Sequence, residues 1–103
     1  MLTLDLPTPT YVGTQVTVTM RFALAGQSRL VDPTVVTLSY LDGHGTETIW
    51  TYGSSPQLTR SRQGMYQAQI LLINQGEWSV KVQGSGGCDI VDETSFAVIN
   101  PTF

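Results

Sequence analysis

A chain of 103 residues is long enough for one domain with its own core, and no run in it approaches the length of a membrane span. Its formal charge is −3. The basic residues Arg21, Arg29, Arg60, Arg62 and Lys81 are too few to track a phosphate backbone, which argues against a nucleic-acid partner.

Charged residues make up 13% of the chain, about half the ~25% usual in soluble domains, and fourteen threonines fill the space. A branched Cβ with a hydroxyl suits a pleated surface that is wet on one side, so this composition predicts a mostly β protein. The opening "MLTLDLPTPTYVG" has neither the basic nor the apolar region of a secretory signal. Cys88 is alone, which excludes an intramolecular disulfide and points to synthesis in a cytoplasm. Running from Met1 to Phe103, the chain is expected to be a complete small protein.

In chain order, "LTLDL" is expected to form an edge strand, although residues 1–10 could equally be an arm that reaches a neighbour. "QVTVTMRFAL" alternates, with Val16, Val18, Met20 and Phe22 on one face and Thr17, Thr19 and Arg21 on the other. "TVVTLSY" continues with Val36, Leu38 and Tyr40, and "LDGHG" supplies a hairpin turn. "TETIWTY" and the short "QLTR" follow, with Arg60 and Arg62 expected on one face of an exposed edge. "MYQAQILLI" places Tyr66, Ala68, Ile70 and Leu72 together, and "EWSVKVQG" does the same for Trp78, Val80 and Val82. "GSGG" reads as a loop, "CDIVDE" as an acidic loop between strands, and "TSFAVI" closes the chain with Phe96 and Val98 inward. Seven to eight short antiparallel strands with turns every eight to twelve residues describe an all-β, immunoglobulin-like β-sandwich, with residues 1–103 as a single domain.

Gly64 and Tyr66 fit a tyrosine corner, in which a Tyr at the start of strand F bonds upstream backbone and a nearby Gly allows the tight path. Gly64, Tyr66 and Trp78 are therefore read as fold-determining. His44 is the one candidate general base, but "DGHG" places it on a hairpin tip without a dry pocket. Asp89, Asp92 and Glu93 near Cys88 lack both calcium-loop spacing and a zinc ligand set. No residue is assigned a catalytic or metal-binding role, and no cofactor is expected. Trp50 and Tyr52 share a face; turned outward they could stack on sugars or anchor a partner, and turned inward they are core. His44, Trp50 and Tyr52 are the candidate interaction residues.

The runs "PTPTYVGTQVTVTMRF", "DPTVVTLSYLDGHGTET", "QGMYQAQI", "GEWSVKVQGSG" and "ETSFAV" resemble small immunoglobulin-like structural proteins of tailed bacteriophages. The pieces that carry the likeness are the Asp-Pro-Thr entry at Asp32–Thr34, Gly64-x-Tyr66, Gly76-x-Trp78, the Gly-Ser-Gly turn and the final Phe96-x-Val98. The resemblance implies a non-enzymatic virion component, made in the host cytoplasm, that decorates a repetitive capsid or tail surface. Its expected partners are other virion proteins, with self-association open and neither nucleic acid nor membrane among them. A carbohydrate-binding adhesion module on a phage particle is the alternative.

Overall fold

The computed structural model describes residues 2–6, 9–23, 29–87 and 89–100. Eight strands are present: β1 Leu2–Asp5, β2 Gln15–Arg21, β3 Val35–Leu41, β4 Glu47–Thr51, β5 Leu58–Arg62, β6 Met65–Leu71, β7 Gly76–Ser85 and β8 Ile90–Val98. They form two antiparallel four-stranded sheets, ordered β1-β2-β6-β5 and β4-β3-β7-β8. In immunoglobulin lettering these are A-B-E-D and C′-C-F-G, a constant-type sandwich with one added strand beside C.

Alternation sorts the side chains as the sequence predicts. Val16, Val18, Met20 and Phe22 from β2 and its end face Leu38, Trp78, Val80 and Val82 from the other sheet, all fully buried. Trp78 lies at the centre, stacked with Tyr40 at 5.8 Å and Phe96 at 6.4 Å between ring centroids. Its indole N–H donates to the Asn74 carbonyl at 3.0 Å, so the buried donor is satisfied.

The N-terminal segment touches both sheets. Leu2–Asp5 pairs with β2, and Tyr11 then bridges in parallel to Ile99 beyond β8, with Val12 N–H donating to the Ile99 carbonyl at 3.0 Å. The chain therefore closes one side of the sandwich, and Leu2–Asp5 is an edge strand instead of a projecting arm.

Three local expectations are corrected. The acidic segment is not a loop: β8 begins at Ile90, so Asp92 and Glu93 pair with Val82 and Lys81. "GSGG" is only partly a turn, because Gly84 and Ser85 complete β7. Gly84 is needed there, since a Cβ would stand 2.8 Å from the Phe22 ring and 2.9 Å from Pro33. Finally, Arg60 and Arg62 do not share a face. A bulge between them shifts the register, placing Arg60 opposite buried Tyr66 and Arg62 opposite Met65.

Candidate interaction surfaces

The candidate residues separate in space. His44 sits exposed in the β3–β4 hairpin, where Asp42 shapes the turn: its carboxylate accepts from the His44 amide at 2.8 Å and the Thr46 amide at 3.0 Å. Those bonds, the Thr46 amide foremost, hold the Asp42 carboxyl below the usual carboxylate range. Trp50 turns inward, half-buried against the core, with its ring edge-on to Tyr40 at 5.3 Å. Ile49 takes the outer face at 57% exposure. Tyr52 is 43% exposed and meets Tyr66 edge-on at 5.1 Å, at the side of the sandwich. Trp50 and Tyr52 therefore do not form a coplanar exposed platform, and the sugar-stacking arrangement lacks the geometry it requires.

The tyrosine corner takes a different form from the one expected. Tyr66 lies on β6, in the β1-β2-β6-β5 sheet, and its hydroxyl donates to a side chain, the Asp32 carboxylate, at 3.1 Å. The same carboxylate accepts from the Gly64 amide at 2.7 Å and from Arg60 Nε and Nη2 at 3.2 and 2.9 Å. One acid thus ties the β2–β3 connection to β5, to the β5–β6 turn and to β6. Arg60 and then the Gly64 amide pull its pKa down to about 2, while burial and the Asp32 contact push the Tyr66 phenol up. Gly64 has φ +72°, and a Cβ there would lie 2.7 Å from Leu30 Cβ, so both the conformation and the close approach call for glycine. This arrangement braces the fold.

Exposed apolar side chains gather at the opposite end. Gly13 N–H bonds the Leu72 carbonyl at 2.7 Å, Gly43 N–H bonds Asn74 Oδ1 at 2.8 Å, and Val12 N–H bonds Ile99, drawing three turns and the end of β8 together. Gly43 and Gly76 touch backbone to backbone, and a Cβ on Gly43 would overlap the Gln75 carbonyl oxygen. Tyr11, Leu41, Leu71, Ile73 and Ile99 stand at this end, all exposed, with Ile73 at 65%; alternation puts Leu41 on the outer side of the β4-β3-β7-β8 sheet and Leu71 on the outer side of the other. His44 is at the same end. The sequence reading did not single out these residues, yet "ILLI" carries a signal. In a strand of period two, four consecutive aliphatics must turn two of them, here Leu71 and Ile73, toward water.

The remaining relief is shallow. An open depression of about 440 Å³ runs along Tyr52–Ser55, Leu58 and Arg60, and another of about 350 Å³ lies among Gln15, Gln57, Thr59, Gln67 and Gln69. Neither holds His44. Among the described residues no group of three His, Cys, Asp or Glu side chains is placed to hold a metal ion, and no helix is long and apolar enough to cross a membrane. Cys88 lies outside the described residues. No protein-family model matches the chain, and comparison with curated proteins finds no significant relative.

Proposed function

We propose that this chain is a non-enzymatic structural module that docks on a repetitive protein surface, as a decoration or surface component of a phage capsid or tail. The observation that carries the reading is the pair of exposed aliphatics Leu71 and Ile73, two residues apart beside the turns at one end of the sandwich. Single exposed aliphatics are ordinary, but two neighbouring ones that are each more than half exposed mark a spot that gains by leaving water. The bonds linking those turns fix the backbone there, so little backbone ordering remains to oppose binding. The phage context rests on the likeness of the Asp32–Thr34, Gly64-x-Tyr66 and Gly76-x-Trp78 pieces to phage structural proteins.

The test is co-sedimentation of the purified chain with intact particles from the same source. Wild-type chain is expected in the particle pellet at a fixed ratio to the capsid or tail protein. Leu71→Asp with Ile73→Asp should lower the affinity about a hundredfold and leave the monomer folded, since both side chains are more than half exposed. Wild-type chain that stays in the supernatant, or a double variant that binds as well as wild type, contradicts the reading.

A further inference from the structure

A sandwich has four strand edges, and the sequence treats them unequally. β1 is only four residues long. β5 is bent by its bulge and carries Arg60 and Arg62. β8 is strapped at its end by Tyr11–Val12, and in its middle Asp92 turns its carboxylate to the Leu2 and Glu93 amides at 2.9 and 3.0 Å. Short length, bulges, charges and cover are the devices that stop a sheet edge from recruiting another strand. β4 has little of this: it is regular, without Pro or Lys, and its one charge is Glu47 at the start.

The ladder shows which β4 groups are free. Asp42 N–H bonds the Thr46 carbonyl at 3.1 Å and Tyr52 N–H bonds the Val36 carbonyl at 3.0 Å, so these are hydrogen-bonded pairs. Alternation then directs Thr48 and Trp50 toward β3, and Glu47, Ile49 and Thr51 away from it. Thr51 is taken by its own turn, its amide donating to Ser55 Oγ at 3.2 Å and its carbonyl accepting from the Ser54 and Ser55 amides. The backbone N–H and C=O groups of Glu47 and Ile49 have no partner among the described residues.

We propose that β4 pairs antiparallel with β4 of a second copy of this chain, about a two-fold axis at Thr48. In this register Glu47 of each copy faces Ile49 of the other, so all the free amides and carbonyls of both residues are used. Thr48 faces Thr48, and no two like charges stand opposite each other. The outward Ile49 side chains, 57% exposed, lie over the join. The two β4-β3-β7-β8 sheets become one continuous sheet. Such a join buries little area and is weak between free molecules, but it strengthens when copies are held side by side. The inference goes beyond the docking reading and stands without it, because it concerns the isolated chain.

Sedimentation equilibrium of the purified chain, carried up to about 1 mM, the range of tethered neighbours, tests it on three variants, each checked for folding by circular dichroism. Wild type is expected to pass from monomer to dimer. Ile49→Glu sets a second acid opposite Glu47 at both halves of the join and should weaken the dimer about tenfold. Ile49→Lys, facing Glu47, should keep the dimer and tighten it at low salt. Ile49→Pro removes only an amide that points away from β3 and should yield a folded monomer. A wild type that stays monomeric throughout overturns the proposal and leaves the edge to a strand from another protein. Equal weakening by Glu and Lys overturns the register, and a Pro variant that still dimerises places the contact elsewhere.

Discussion

Trp78→Ala is expected to lower the unfolding free energy by about 3–5 kcal/mol, the usual range for deleting a fully buried large aromatic. Trp78 is 0% exposed and sits between Tyr40 and Phe96, so the substitution opens a cavity that two rings border. It also leaves the Asn74 carbonyl without the indole donor, in the turn that holds Gly43. The loss is therefore expected to reach the β3–β4 hairpin as well as the core. Urea denaturation gives the magnitude, and hydrogen exchange at His44–Thr46 shows whether the hairpin loosens. Trp78→Phe should recover most of the packing but not the hydrogen bond, and so fall between the two.

Asp32→Ala is expected to cost about 2–3 kcal/mol, because it strands the buried Gly64 amide and the Tyr66 hydroxyl together. Asp32→Asn should cost less, since an amide oxygen can still accept from both. The acid also sets a pH dependence. Its folded pKa of about 2 lies below the unfolded value of about 3.9, so its contribution is fully present above that unfolded value. It is lost as pH falls through about 2. The shift alone would correspond to about 2.5 kcal/mol, but the Asp32 side chain is 36% exposed and its Arg60 partner 38%, and solvent screening reduces this to about 1–2 kcal/mol. Urea midpoints measured from pH 5 down to pH 2 should fall for wild type by more than for Asp32→Asn. Parallel pH profiles for the two proteins would show that the acid does not supply this term.

The core was readable in advance because period-two alternation specifies a buried face wherever one side of a strand is dry. Val16 to Phe22, Tyr66 to Leu72 and Trp78 to Val82 all follow it. Reading failed where the period breaks. Nothing in "LTRSRQG" marks the bulge that separates Arg60 from Arg62, because the shift is made by pairing with β6. The role of Asp32 was hidden for a similar reason: its partners Arg60, Gly64 and Tyr66 lie about thirty residues on and are assembled only by the fold. "IVDE" read as a loop on charge alone, but at a sheet edge an inward Asp such as Asp92 is a normal way to blunt the strand. Trp50 could not be oriented from its own segment, because β4 alternates on both faces and only its register with β3 decides. The apolar end escaped notice since its members come from four separate places in the chain, and only "ILLI" betrayed two of them.

Docking requires the turns at the apolar end of the molecule to leave water when the chain binds. Hydrogen–deuterium exchange, compared between the free chain and the chain on intact particles, reads that end directly. The account predicts slowed exchange at Tyr11–Thr14, Asp42–Thr46 and Leu72–Gln75, with the β5–β6 turn at Gln63–Gly64 unchanged. Slowing confined to the Asp32 and Gly64 end, with the apolar end exchanging as in the free chain, would contradict it.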